Sequence, residues 1–349
     1  MAIRIAIPGD NKKLVALSKL TPMDGNISIC IQRDPDFFSL LKKKGCPQVF
    51  IAEENNEIIG CISIVQEEMV IMNRPISLNY ICDLKVHPDY RKKKIGTNLC
   101  NAMHDHLVKT GADLVFCTVA DGNEKVMPLV FGKAGIEGSI NVGPFYVLQL
   151  LPKKKSRVGK DLQIEKFKNQ EFLTDFYRDF SERYVFHPAS RPDTYENCVH
   201  FAVIKNNSPV SIITLFDPEN LKQYVLENIP WYYKILAKIL RWAKPLLHTP
   251  YLPHTGEHLR MLYVKDFGYN PGEEDAFMAL VQFARTYAYE NNYSFLSVSF
   301  HETDPLRKKL KNALSFPFKS HVFISSLKNN FELVEKMVAK NAFLDYSLI

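Results

Sequence analysis

The chain has 349 residues, more than one hydrophobic core usually supports, and at roughly 150 residues per domain two domains are expected. Hydrophobic residues at 46% and charged residues at 23% exclude disordered, collagenous and coiled-coil classes, while a net charge of +6 does not separate nucleic acid, a membrane surface or a phosphorylated small molecule as partner. The seven cysteines are scattered and never form C-x-x-C, so neither structural zinc nor a disulfide framework is expected, and a reducing, cytoplasmic compartment is.

In chain order, the opening MAIRIAIPGD is a broken apolar stretch without the small-residue cleavage site of a leader peptide. Residues 50–65, FIAEENNEIIGCISIV, are two apolar runs around an Asn-Asn turn and predict a β-hairpin. Strand alternation through Cys82, Leu84 and Val86 stops at His87-Pro88; a polar loop, a helix over 97–109 and the strand DLVFCTVA follow, a βαβ signature. After the strand FYVLQL comes PKKKSRVGK, too polar to pack, which reads as a linker over 152–160. Residues 201–216, FAVIKNNSPVSIITLF, repeat the hairpin pattern, and Leu262-Tyr263-Val264, a helix over 275–287 and YSFLSVSF repeat the βαβ pattern. The offsets between copies are 151 for the hairpin and 178 for the βαβ unit, so about 27 extra residues enter the second copy, at 228–253. This predicts a tandem repeat with copies over 1–151 and 161–349; two unrelated α+β domains are the alternative.

The loop before the first helix is the most chemically distinctive stretch. Between Lys85 and Lys94 stand five basic residues (Lys85, Arg91, Lys92, Lys93, Lys94) and one acid, Asp89, a local charge of +4 beside a helix N-terminus. Unpaired N–H groups, the helix dipole and these bases together favour a polyphosphate. No nucleic-acid partner is expected, because the loop lacks interleaved aromatics beyond Tyr90.

On VHPDYRKKKIGTNL the sequence resembles the GCN5-related N-acetyltransferase (GNAT) superfamily. That family's pyrophosphate signature is Arg or Gln, two residues, Gly, one residue, Gly or Ala; here Arg91 and Gly96 fit and Lys94 replaces the first glycine. The resemblance covers about residues 5–150. It implies an α/β (α+β) fold, two GNAT-like domains with mixed central sheets flanked by helices, the first sheet splayed between two strands to hold acetyl-CoA or another acyl-CoA. The cofactor residues it implies are Leu84, Lys85, Val86, Arg91, Lys92, Lys93, Lys94, Ile95, Gly96 and Thr97, with Asn123 near the pantetheine arm or simply closing its turn. The implied chemistry is direct attack by a primary amine of a small molecule or peptide, without a metal. Asp83 and then Glu124 are candidate bases, although ordered water serves many members and Asp83 reads more readily as a hydrogen-bonded structural acid on the strand's polar face. The family's acid tyrosine falls at Phe131, which has no proton to give; Tyr146 is the candidate substitute, or a core tyrosine. The superfamily's N-terminal helices overhang the acceptor, so Arg33 and Asp34 contact it or merely cap a helix.

In the second copy the matching loop, KDFGYNPGEED, holds Lys265 against Asp266, Glu273, Glu274 and Asp275, a charge of −3, so only one cofactor per chain is expected. Residues 231–247 hold both tryptophans, 11 apart, with Lys234, Lys238, Arg241 and Lys244 as a basic stripe. This helix covers the core or cleft, contacts a membrane surface, or joins a dimer. His254/His258 and His104/His106 lack the context of a metal site. The reading is an N-acetyltransferase, with a catalytically silent acyl-CoA sensor as the alternative.

Overall fold

The computed structural model describes the chain apart from residues 24–26, 134–137, 156–161, 190–195, 244–247 and 311–312, and the side chains of Lys133, Tyr233 and Leu236. Most of the expected linker and Lys244 thus lie outside the described residues. The first half runs β1 (Ala2–Ile5), α1 (Asn11–Lys19), β2 (Ser28–Gln32), α2 (Ser39–Lys44), β3 (Cys46–Glu54), β4 (Glu57–Ile71), β5 (Arg74–Val86), α3 (Ile95–Lys109), β6 (Leu114–Ala120) and β7 (Ile140–Leu150). The second runs β8 (Gln163–Phe167), α4 (Gln170–Ser181), β9 (Phe186–Pro188), β10 (Cys198–Lys205), β11 (Ser208–Phe216), β12 (Gln223–Asn228), α5 (Trp231–Trp242), β13 (Met261–Tyr269), α6 (Glu274–Glu290), β14 (Phe295–His301), α7 (Pro305–Lys309), β15 (Ser315–Ser326) and α8 (Phe331–Glu335).

Both hairpins form as their sequences dictate. The turn residues Asn55-Asn56 and Asn206-Asn207 all have φ between 49° and 62°, the left-handed pair that a two-residue turn between twisted strands requires. The register shifts between Ala52 and Glu53 in one hairpin and between Val203 and Ile204 in the other, the same position at an offset of 151. The βαβ units also recur: β5 pairs in parallel with β6 over Asn79–Ile81, and β13 with β14 over Met261–Tyr263. These ladders make Ile81 the counterpart of Tyr263, an offset of 182 rather than 178. A slip of four keeps every side chain on its own face, so alternation alone cannot detect it.

The halves are interleaved rather than adjacent. One sheet runs β1-β3-β4-β5-β6-β15-β7-β14-β13-β11-β10-β8, with β9 beside β4, and β12 pairs separately with β2. β15 of the second half thus enters between β6 and β7 of the first, while the far edge of β7 pairs with β14. At Gly143 in β7, φ is +131° and an added Cβ would lie 2.3 Å from Nε2 of His301 on β14, so only glycine lets the two halves approach there. The core follows this exchange: Phe37, Met69, Phe116 and Phe145 of the first half share one cluster with Met261, Val322 and Tyr346 of the second. α3 buries Ile95, Leu99, Cys100, Met103 and Leu107 against the first half of the sheet, which fixes the position of its N-terminus.

Candidate active site

The parallel ladder between β5 and β6 stops at Ile81 and Cys117, although β5 continues to Val86 and β6 to Ala120. Beyond that point the strands diverge. On the side facing β6, the backbone of β5 from Cys82 onward therefore meets a cleft instead of a neighbour. β5 is also bulged here: Ser63 pairs with Cys82 and Cys61 with Lys85, and Asp83 has φ +52°. The cleft opens into an apolar cavity of about 570 Å³. Ile62, Ile81, Cys82, Leu84, Cys100, Met103, Val115 to Ala120, Leu129 and Val130 line it from the first half; Tyr224, Leu259, Met261, Tyr263, Phe318, Ser320, Phe323 and Tyr346 line it from the second.

Beside the end of β5 stands the N-terminus of α3, where a Cβ added to Gly96 would lie 3.8 Å from Val86 and 3.9 Å from Leu84. Residues Arg91 to Lys94 are exposed, and Lys92 and Lys94 have φ +65° and +61°. Lys94 therefore occupies the left-handed conformation for which the family pattern uses glycine, and its side chain adds charge at the helix start. Lys93 Nζ lies 4.4 Å over the Tyr90 ring, which holds the basic loop compact. Gly96 and Thr97 open the helix as expected, while Ile95 is a buried anchor.

The candidate catalytic residues do not converge. Asp83 lines the cavity, but Arg33 Nη2 donates to both of its carboxylate oxygens at 3.0 and 2.9 Å, and the two side chains are 7% and 9% exposed. Arg33 is thus a partner of Asp83 rather than a free acceptor contact. Asp34 pairs with Lys19 at 2.6 Å. Glu124 is exposed and outside the cavity lining, whereas Asn123 beside it lines the cavity. Tyr146 is on the face of β7 opposite to the lining residues Val147 and Gln149, and its ring lies under Arg307 at 4.0 Å. Phe131 packs edge-on against Phe323 and is 59% exposed.

Polar groups of the cavity come instead from residues that local patterns did not single out. The Tyr224 and Tyr263 hydroxyls are 2.7 Å apart, Tyr346 bonds Ser320, and Thr118 meets Tyr80 at 3.1 Å. Burial holds Tyr263 and Tyr346 above the ordinary tyrosine range, so both remain proton donors at neutral pH. Burial likewise pushes the Cys100 and Cys117 thiols up to about 12 and Cys82 well above its usual value, which leaves no thiolate in the cavity at pH 7.

The second βαβ unit diverges too, past Tyr263 and Ser297, but its wedge is filled by the chain itself. Ser299 Oγ donates to the Leu344 carbonyl, Phe343 packs on Phe267, and Lys265 pairs with the buried Asp345. Burial opposes both charges, yet their mutual attraction holds Asp345 below and Lys265 above its ordinary range. Lys265 is the bulged counterpart of Asp83, so each wedge carries one buried ion pair, with the signs reversed. The N-terminal turn of α6 carries its own acids, Glu274 and Asp275, and Glu273 before it binds Lys205 at 2.6 Å.

A mixed sheet splayed beside a basic helix N-terminus, with an apolar cavity behind, is a GNAT-type arrangement. Residues 22–132 match the sequence profile of the acetyltransferase (GNAT) family. No curated protein matches the chain by sequence. Among solved structures, Saccharomyces cerevisiae N-myristoyltransferase with bound myristoyl-CoA is similar at TM-score 0.64 and 11% identity, covering 93% of this chain and 79% of that one. A GCN5-related N-acetyltransferase from Anabaena variabilis is similar at 0.54 and 10%, covering 93% and 72%. A conserved protein of unknown function from Enterococcus faecalis, a probable N-acyltransferase, is similar at 0.53 and 10%, with the same coverage. The chain shares their fold.

Proposed function

We propose that the protein is an acyl-CoA-dependent N-acyltransferase that holds one donor per chain. The observation that carries this reading is that Leu84, on the opened edge of β5, borders both the basic start of α3, at Gly96, and the cavity. The pyrophosphate would rest on Arg91, Lys92 and the N–H groups of residues 95–97, and the pantetheine would run along Leu84 to Val86 past Asn123. A neutral primary amine of a small molecule or peptide attacks the thioester carbonyl carbon. The C–N bond forms as the carbonyl electrons move to oxygen, and amide N–H groups of the bulged strand stabilise that oxyanion. Its collapse breaks the C–S bond, and the thiolate takes a proton from a buried hydroxyl or water. With Asp83 engaged by Arg33 and every cavity thiol protonated, attack is direct, and the amine's proton leaves through water.

The depth of apolar lining, from Ile62 and Met103 through Phe116 and Leu129, supports an acyl group longer than acetyl, in keeping with the myristoyl-CoA bound by the yeast relative. The test is thiol release from acetyl-, octanoyl- and myristoyl-CoA against a panel of amines and N-terminal glycine peptides. Amine-dependent release is expected, faster with a longer chain; tight donor binding without release from any of them would establish the silent sensor that Phe131 favours.

A further inference from the structure

The segment that the second half adds to the shared plan carries α5, whose apolar face points outward. At about 100° per residue, Trp231, Trp242, Ile235, Ile239 and Tyr232 fall in one continuous arc. Their exposures are 72, 87, 52, 55 and 51%. A helix that covered the core would turn this arc inward; here, among the described residues, Ala237, Leu240 and Arg241, outside the arc, are the partly buried ones. Immediately beside the arc run Lys234, Lys238 and Arg241, which with His254 and Thr255 line a basic hollow. Between Glu227 and Glu257 the sequence holds four lysine or arginine residues and no acid.

We propose that α5 docks the protein on an anionic lipid bilayer. The two tryptophans and the isoleucines enter the headgroup–acyl boundary, and the lysines bind lipid phosphates at the level just outside it. Charge decides between a bilayer and a second copy of this chain. A partner's α5 would bring the same bases with no acid to meet them, whereas anionic headgroups neutralise the stripe along its length. The position of α5 gives docking a consequence for the cavity. Only Ile229 and Pro230 separate β12 from α5, and the partner strand β2 lends Ile29 and Ile31 to the cavity wall. Met23 and Ile27, also in the lining, are 43% and 45% exposed near the same strand end. Docking therefore brings the cavity rim close to a source of apolar chains. This inference is independent of the reaction proposed above.

Both tryptophans of the chain are on α5, so tryptophan emission, excited to the red of tyrosine absorption, reports on this helix alone. Adding phosphatidylcholine vesicles containing phosphatidylglycerol is expected to shift the emission to the blue and carry the protein into the pellet, with both effects reversed by high salt. Phosphatidylcholine alone is expected to bind at least about tenfold more weakly, and Lys234→Glu with Lys238→Glu to lower affinity for the anionic vesicles by at least about tenfold. Trp231→Ala with Trp242→Ala removes co-sedimentation. These side chains are exposed, and an unchanged melting temperature separates lost docking from lost fold. An unshifted emission with protein left in the supernatant, equal binding to both vesicles, or a blue shift that follows protein concentration without lipid would each overturn the proposal.

Discussion

Asp83 is the residue on which structural and catalytic accounts diverge most sharply, and its replacement by asparagine separates them. Arg33 and Asp83 are 7% and 9% exposed, and the carboxylate takes two hydrogen bonds from Nη2. Nε and Nη1 of Arg33 are buried with no hydrogen-bond partner among the described residues, so beyond the Phe37 ring at 5.6 Å the guanidinium depends on this one carboxylate. Removing the negative charge leaves a buried cation uncompensated, and Asp83→Asn is expected to cost about 3–5 kcal/mol. Asparagine tolerates the left-handed backbone at φ +52° better than other residues, so backbone strain adds little. Adding Arg33→Met removes the stranded charge and restores most of the loss. Urea unfolding of the wild type, the single variant and the double variant measures this, with thiol release followed on each folded protein. A destabilised single variant and a stable, active double variant are expected. A single variant with the wild-type midpoint refutes the buried pair, and a stable but inactive double variant identifies Asp83 as the base.

Three further outcomes follow from particular residues. Arg91→Glu with Lys92→Glu is expected to weaken acyl-CoA binding at least about tenfold in calorimetric titration, whereas Glu274→Lys with Asp275→Lys leaves the stoichiometry at one, because the second wedge is filled by residues 343–345. Lys94→Gly relieves a left-handed residue at φ +61° and raises the thermal midpoint by the equivalent of up to about 1 kcal/mol, an increase that chain entropy in the unfolded state partly offsets. His200 and His301 are both pushed down to about 4 by burial. The unfolded chain binds protons at these sites below the usual histidine range while the folded protein does not. Stability is therefore full above about pH 6.5 and falls as pH drops toward 4; denaturant midpoints across that window, compared with a His200→Gln variant, would show a shallower fall for the variant.

Much of this architecture is legible in the sequence wherever the signal is local. Asn-Asn between alternating runs specifies a tight hairpin, and the bases packed around Tyr90 announce the helix end. The strand exchange is not legible. β7 alternates in the same way whether its neighbour is a strand of its own half or β14 and β15, because alternation encodes a face and not a partner. For the same reason Tyr146 and Val147 are indistinguishable until the sheet is assembled, and the tyrosines of the cavity, at 224, 263 and 346, lie in segments remote from the basic loop. The spacing of α5 puts both tryptophans on nearly one face, but periodicity does not say whether anything covers that face, and here it points outward.

The account stands or falls on where a donor binds. A crystal structure with a non-hydrolysable long-chain acyl-CoA analogue tests this directly. One analogue per chain is expected, its pyrophosphate against Arg91 and the N–H groups of residues 95–97, its thioester position beside the bulge at Asp83, and its acyl chain in the cavity between Met103 and Phe116. An analogue bound in the wedge between β13 and β14, or an analogue whose acyl chain lies outside the cavity, would contradict it.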